Sequence, residues 1–460
     1  MSATSAPRPV GRSTYFFGAL GGLLFGYDLG VVAGALLFIT PEMHLSPLQS
    51  GMVTSSLLIG GMIGALGCGR VTDRFGRRFT VLVSAVLFGL GAILAAAAPN
   101  FALILIARVI MGLAVGAASV TVPVYLSEIA PARSRGGLSG LNQLMISIGI
   151  LVAYLVNLGL SPFHAWRWMF GLAAVPAVLL LVGTLFQPES PRWLIRKGRE
   201  AQAREVLSRT RDAAELEAEL AEIRAVNEAS ADRVGVRELF ASRTLRRILF
   251  IGVGLAVLQQ IIGINTIIYY APTILKNVGF GDSAAILANA GLGALTVVVT
   301  IIMITVVVDR FGRRRPLMLG ALGMVCAMVL IAVLFRLGGQ SGGAAGWIAI
   351  VALALFKVCY SLSWGGMVWI MLGEIFPLRV RGTAMGIATF TNWAGNFLVG
   401  LLFPVLLAAG SSGVFVVFAV LAAVAGLFAY RFVPETKGRS LEQIEEHFGA
   451  VTTSQPVRAQ

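Results

Sequence analysis

Twelve apolar stretches, each long enough to cross a bilayer, constrain this chain more than any other feature. They fall near 15–39, 51–71, 79–98, 102–124, 138–160, 167–186, 247–270, 285–308, 316–336, 345–372, 383–406 and 413–433. At about 1.5 Å rise per residue, roughly 20 apolar residues of helix traverse the hydrocarbon layer. No water is available there to satisfy backbone N–H and C=O groups, so only helices and closed barrels can span it. The alternating runs that mark barrel strands are absent, and the expected fold is an all-α membrane protein of twelve helices. Composition agrees, with 57% hydrophobic residues and only 13% charged, well below the charged share of a soluble domain. Collagen, disordered chains and cysteine-stapled secreted domains are excluded. The first run follows a short basic tail with Arg8 and Arg12 and is longer than a signal-peptide core, so it reads as a retained span.

The net charge of +14 would suggest nucleic acid in a soluble protein, but its placement says otherwise. Thirty-one of the 36 Lys and Arg lie in the termini and in the loops at 70–78, 133–135, 187–247, 309–315 and 379–381, against Arg167, Lys276 and Arg336 on the other side. Arg108 and Lys357 lie within spans. The positive-inside rule places both termini and the central loop in the cytoplasm, and no nucleic-acid partner is needed. Cys68, Cys326 and Cys359 sit singly in apolar stretches and His44, His164 and His447 are scattered, which points to neither disulfides nor a metal site.

The expected organisation is an N-terminal tail at 1–14, a six-helix bundle at 15–186, a linker at 187–246, a second six-helix bundle at 247–433 and a tail at 434–460. Glu200 to Glu228 is rich in Ala, Glu, Arg and Leu, so the linker is read as helical, either a solvated connector or a latch on the cytoplasmic face. The halves repeat. Asp73-Arg74-Phe75-Gly76-Arg77-Arg78 recurs at Asp309 to Arg314, an offset of 236. Glu128-Ile129-Ala130-Pro131 with Arg133, Arg135 and Gly136 recurs as Glu374-Ile375-Phe376-Pro377 with Arg379, Arg381 and Gly382, and Pro188-Glu189-Ser190-Pro191 echoes Pro434-Glu435-Thr436-Lys437, both offset by 246. Duplicated bundles around a central site are a transporter architecture.

These loops, together with Pro188-Glu189-Ser190-Pro191-Arg192-Trp193-Leu194, Gln259-Gln260-Ile261-Ile262-Gly263-Ile264-Asn265 and Pro434-Glu435-Thr436-Lys437-Gly438, resemble the sugar porter family of the major facilitator superfamily over about residues 15 to 448. Gly26-Tyr27-Asp28 and Leu141-Asn142-Gln143-Leu144 with Ile148-Gly149-Ile150 are most similar to bacterial proton-coupled glucose transporters. The resemblance implies two pseudo-symmetric bundles that expose a central site to alternate sides. With no P-loop, GxGxxG, HExxH or GxSxG pattern in the chain, an enzyme and a bound cofactor are not expected, and the energy must come from a gradient.

Gly18, Gly22, Gly26, Gly30 and Gly34 recur every four residues along the first span. They make a side-chain-free stripe for close packing, which also permits helices to slide. Asp28 on that helix and Arg108 in the fourth span are charges at hydrocarbon depth, costly unless paired or wetted. Burial favours a neutral acid and a nearby guanidinium favours the carboxylate, so a pair that opens and closes could load and release a proton. A permanently charged arginine can only modulate it. The alternative is a static ion pair tying two helices. The resemblance implies that Asp28 is the protonation site and Arg108 its partner.

Sugars present hydroxyls that donate and accept, plus weakly apolar ring faces, so their sites call for neutral amides and aromatic rings. Gln259, Gln260 and Asn265 in the seventh span have spacings compatible with a cluster at a broken helix. Gln143 in the fifth, Trp369 in the tenth, and Asn392, Trp393 and Asn396 in the eleventh supply similar chemistry; interhelical hydrogen bonding is the competing reading of each amide alone. The resemblance implies that Gln143, Gln259, Gln260, Asn265, Trp369 and Asn392 line the sugar cavity, with Trp393 beneath it, Tyr269 and Tyr270 in the outer gate, and Phe25 beside Asp28. Two departures, Ile150 and Val297 where some relatives carry amides, leave the choice among epimers open.

A third constellation comprises Asp73, Arg74, Arg77, Arg78, Glu128, Arg133, Glu189 and Arg192 in the first half, and Asp309, Arg310, Arg313, Glu374, Arg379, Arg381 and Glu435 in the second. Topology signalling explains the arginines but not the recurring acids. The resemblance implies salt bridges that fasten the halves when the site opens outward and separate when it opens inward. Exposed pairs are worth only ~0–1 kcal/mol each, so they must act collectively. Lys357 fits none of this, and either snorkels to the outer interface or faces the cavity.

The reading is therefore a monosaccharide importer, D-glucose or a related hexose first, driven by proton symport in a bacterial inner membrane, with the lipid bilayer, proton and sugar as its partners and a monomer sufficient. A facilitative uniporter, a pentose or inositol symporter, and a non-transporting sugar sensor are the alternatives.

Overall fold

The computed structural model of the chain describes residues 12–129, 135–209, 211–229, 239–240, 242–337, 343–377 and 380–437. Among them the structure is all-α and holds twelve helices long and apolar enough to cross a membrane. Spans 1 to 6 are Arg12–Glu42, Pro47–Phe75, Arg77–Ala96, Phe101–Ile129, Arg135–Leu160 and Trp166–Leu185. Spans 7 to 12 are Arg243–Asn277, Asp282–Val307, Arg314–Arg336, Ala344–Ile375, Arg381–Ala409 and Ser411–Phe432. Local chemistry sets several starts. Ser46 and Gln49 form a reciprocal capping box with Pro47 in the first turn of span 2, satisfying N–H groups that the helix leaves free. Asn100 and Ser242 accept from Leu103 N–H and Leu245 N–H in the same way at spans 4 and 7.

Three spans are broken. Span 6 divides into Trp166–Gly171 and Ala174–Leu185. Span 7 divides into Arg243–Ile261 and Ile264–Asn277 at Gly263, whose φ of +94° favours a residue without Cβ. Span 10 divides into Ala344–Leu362 and Trp364–Ile375 at Ser363. Span 8 closes on a π-helical turn, Met303–Val307.

The linker is helical but not continuous. Pro191–Arg196, Glu200–Ser208 and Ala213–Ala229 are separate helices, so the single helix-forming run from Glu200 to Glu228 is interrupted. The reason sits in the break: buried Arg211 turns inward to donate to the Ile129 carbonyl (2.7 Å) at the end of span 4 and to Glu219 (2.8 Å). Trp193 Nε1 donates to the Asp73 carbonyl and Arg196 pairs with Asp73 at 3.1 Å. These contacts brace the linker against the end of the first six spans. That end, which also carries the 2–3 and 8–9 turns, is called the linker end below, and the opposite one the far end.

Large apolar side chains such as Leu66, Leu90, Ile93, Leu319, Leu322 and Leu427 are exposed around the bundle, as expected of a surface solvated by lipid. Inside the first half, Gly22, Gly26, Gly30 and Gly34 press against Asn142, Ile146, Ile150 and Asn157 of span 5, where an added methyl would strike backbone or side chain. The stripe is thus a packing seam within one half rather than a sliding surface between halves. The halves meet through span 2 on span 11, span 5 on span 8, and span 1 on the second piece of span 7. Gly51 lies against the Leu401 carbonyl, Tyr270 Oη bonds Thr54 (2.8 Å), and Tyr154 Oη donates to the Ile268 carbonyl (2.9 Å). Gly51, Thr54, Tyr154 and Tyr270 all stand towards the far ends of their spans, so the halves are closed on each other there.

Candidate functional site

Asp28 and Arg108 form one buried ion pair, 2.5 Å long, with 0% and 1% of their side chains exposed. Arg108 also donates through Nε to the Val53 carbonyl (3.2 Å) and lies 5.7 Å from the Phe170 ring centre, so the pair ties spans 1, 2, 4 and 6. Asp28 Oδ1 is taken; Oδ2 has no hydrogen-bond partner among the described residues. A carboxylate held by one guanidinium through a single oxygen leaves the other as a place for a proton.

The amides of spans 7 and 11 form a continuous chain around the Gly263 break. Asn265 Nδ2 donates to Gln260 Oε1, Gln260 Nε2 to Asn392 Oδ1 (3.0 Å), and Asn392 Nδ2 to Gln259 Oε1 (2.8 Å). Gln259 Nε2 ends the chain on the Trp364 carbonyl (2.8 Å), which the span 10 break presents. All four amides are buried. The break lets residues five and six apart converge, because the second piece restarts in a new direction. Phe25 stacks on Trp393 with centroids 5.7 Å apart and planes 15° apart. Phe25 lies on span 1 three residues before Asp28, and Trp393 adjoins Asn392, so this stack joins the helix that carries Asp28 to the helix that carries Asn392.

Gln143 and Trp369 are half-buried and stand apart from the chain, with no side-chain hydrogen bond to it among the described residues. Tyr269 Oη approaches Asn396 (3.4–3.5 Å), and Tyr270 Oη bonds Thr54 and donates to the Gly400 carbonyl (2.9 Å). Thr54 and Tyr154, which complete these contacts, were not singled out from sequence; buried hydroxyls in apolar helices were the available signal.

At the linker end the two halves build the same socket twice. Glu189 accepts from the N–H groups of Arg77 and Arg78 at the start of span 3, and Glu435 from those of Arg313 and Arg314 at span 9. Arg77 pairs with Glu128 at 2.9 Å and Arg313 with Glu374 at 2.9 Å. Ser190 bonds Glu128, and Thr436 bonds Glu374 at 2.5 Å. Arg78 donates to the Thr184 and Leu185 carbonyls and Arg314 to that of Tyr430, closing the ends of spans 6 and 12. Carboxylates belong at helix N-termini, where free N–H groups and the helix dipole both favour them. Burial pushes the Glu435 carboxyl up, but N–H groups of Arg313, Lys437, Arg314 and Thr436 together hold it below the ordinary carboxylate range.

Arg77 also approaches Asp73 (3.8 Å), Arg192 pairs with Glu222 of the linker (3.5 Å), and Arg381 donates to the Phe376 carbonyl. Arg74 lies over Phe75 and the Arg310 carbonyl accepts from Lys437. Arg133, Arg379 and the Asp309 side chain lie outside the described residues. Among the described residues, each of these ion pairs stays within one half or joins it to the linker; none runs from half to half. Lys357 does not snorkel to an interface: it is 2% exposed and lies 5.3 Å from the Tyr154 ring centre.

A family model described as "Sugar (and other) transporter" matches residues 14–448. The glucose transporter GlcP of Staphylococcus epidermidis is 46% identical over 432 residues, covering 94% of this chain and 96% of that one. The galactose-proton symporter of Escherichia coli K12 is 41% identical over 434 residues, covering 94% and 93%. The solved structure of the proton:xylose symporter XylE bound to 6-bromo-6-deoxy-D-glucose superposes with a TM-score of 0.77 at 31% identity, covering 95% and 98%. The chain belongs to the sugar porter family of the major facilitator superfamily: it is a twelve-span sugar transporter, in a family that is not enzymatic.

Proposed function

We propose that this sugar transporter imports a monosaccharide together with a proton, by exposing one central site alternately to the two faces of the membrane. The observation that carries the reading is the Asp28–Arg108 pair, a buried carboxylate with one oxygen bonded and the other without a hydrogen-bond partner among the described residues. A proton arriving at Oδ2 cancels the charge that holds Arg108. It thereby loosens the tie among spans 1, 2, 4 and 6, a change that two packed bundles can answer by rocking. Phe25 and Trp393 supply the physical continuity from this pair to the amides, so that loading one site is felt at the other.

The amide chain is the sugar's hydrogen-bonding set. Each of Gln259, Gln260, Asn265 and Asn392 both donates and accepts, so sugar hydroxyls can replace their mutual bonds one for one, with little net desolvation cost. Gln143 and Trp369, half-buried and outside the chain, complete the pocket with an amide and a ring face. A hexose leads, glucose first, because the relatives named for glucose and galactose are 46% and 41% identical over nearly the whole chain, and the 31% identical xylose symporter keeps a pentose as the second reading. A panel of glucose, galactose, xylose, arabinose and inositol, run with and without a protonophore, ranks them.

The excess of basic residues in its loops favours a cytoplasmic linker end, and a bacterial inner membrane is the setting of this reading. Residues 15–186 and 247–433 then act as the two moving bundles, and 187–246 as the strap between them. With Asp28→Asn in proteoliposomes, we expect uphill sugar accumulation driven by a pH gradient to vanish while sugar-for-sugar exchange persists. Full gradient-driven accumulation in that variant refutes the assignment.

A further inference from the structure

Away from the linker end, the described spans bury one charged side chain besides Asp28 and Arg108. It is Lys357, on the first piece of span 10, 2% exposed and without an ion pair among the described residues. Its ammonium faces the Tyr154 ring at 5.3 Å. The two residues belong to different halves, and Tyr154 is itself seated by the closure: its hydroxyl donates to the Ile268 carbonyl and its ring packs on Gly293 of span 8.

Among the described residues the surroundings hold nothing to neutralise the charge. Spans 8 and 9 and the second piece of span 7 pack against this piece of span 10. Their titratable and charged groups are Tyr269, Tyr270, Cys326, the arginines at the two ends of span 9, and Asp282, which is tied to Lys276 at 2.7 Å. Cys359 and Tyr360 lie on its own helix, and Tyr154 comes from span 5. An ammonium stripped of water without a carboxylate is costly at this depth, and a ring face returns only part of that cost. The burial is contingent, because parting the halves at the far end withdraws Tyr154 and lets water in.

We propose that Lys357 is a spring in the far-end gate: dehydrating its ammonium opposes closure, so charge at position 357 favours the state open at the far end. The proposal rests on the alternating-access reading. It makes Lys357 a positioning residue that sets how strongly bound sugar must favour the closed state before the site can turn over.

The test uses full-length protein in lipid nanodiscs with spin labels at Leu48 and Leu406, exposed positions at the far ends of spans 2 and 11. We expect Lys357→Met to lower the sugar-free open-to-closed ratio about tenfold, and Lys357→Arg to keep it at or above the wild-type value. In an Asp28→Asn background, which removes the proton-loading carboxylate, raising the pH from about 6 to about 10 should shift protein that keeps Lys357 towards closed and leave protein carrying Lys357→Met unmoved, a response that a purely structural lysine would not produce. If Lys357→Met does not purify intact, Lys357→Gln carries the same expectation. Unchanged distances in the neutral variant, or a distribution indifferent to pH in Asp28→Asn protein that keeps Lys357, overturn the proposal. Sugar exchange by the wild type in proteoliposomes separates the two readings. Its absence sinks the carrier reading, whereas exchange with an unaltered distance distribution in the neutral variant sinks only the role of Lys357.

Discussion

Asp28 and Gln260 show what one side chain contributes when every neighbour is already bonded. Gln260 donates to Asn392 and accepts from Asn265, so its removal orphans a donor on one side and an acceptor on the other. Each unmatched buried polar group costs about 1–3 kcal/mol. Gln260→Ala should therefore weaken sugar binding by one to two orders of magnitude, read by titration calorimetry, while leaving the proton dependence of any residual uptake intact. Wild-type affinity would mean that the amides serve packing alone. The identity of these residues was readable in the sequence because amides and charges stand out against an apolar helix. Their partners were not: that Gln259 ends on the Trp364 carbonyl, or that Lys357 meets Tyr154, depends on how each helix is rotated, which hydrophobicity alone does not encode.

Helices are the next scale, and here the sequence was informative wherever a backbone rule applied. Spanning length marked all twelve, and the convergence of Gln260 with Asn265 required a break that Gly263 supplies. The break at Ser363 went unforeseen because no glycine or proline occupies the position, and the interruption of the linker because a strong local helix preference yields to the tertiary pull on Arg211. The caps of spans 3 and 9 lend themselves to a pH experiment. The folded protein holds the Glu435 carboxyl below the ordinary range, so its stabilisation is complete above that range and is lost as pH falls through the depressed value. Glu435→Gln should melt below the wild type at pH ~7, by about 2 °C since the group is partly exposed to solvent. The gap should close as the pH drops under about 4. A gap that stays constant with pH would show that the carboxylate's charge plays no part in the cap.

For the molecule as a whole, Gly51, Thr54, Tyr154 and Tyr270 join the halves at the far end, Ser147 meets Thr300 and Gly140 meets Ile304 nearer the linker end, and among the described residues each half binds its linker-end charges internally or to the linker. A rocking carrier predicts that fixing the far-end contact stops turnover. Cysteines at Ser55 and Gly400, where a Cβ on residue 400 lies 3.9 Å from that of residue 55, in a background lacking Cys68, Cys326 and Cys359, should form a bridge under oxidation that abolishes exchange, and reduction should restore it. Exchange at the full rate while bridged would show that the far end need not part. The sequence disclosed the duplication and its loops. It did not disclose which of the two faces is shut, because both arrangements use the same residues and differ only in which contacts are made.

The twin sockets carry one more implication. Between Arg77 and Glu128 the first half is ten residues shorter than the second between Arg313 and Glu374, since the repeat offset rises from 236 to 246. Yet Glu189 and Glu435 still seat on corresponding backbone amides. Length has been absorbed elsewhere in the chain while the joint kept its gauge, and the hexapeptides 73–78 and 309–314 are one identical part used in two places.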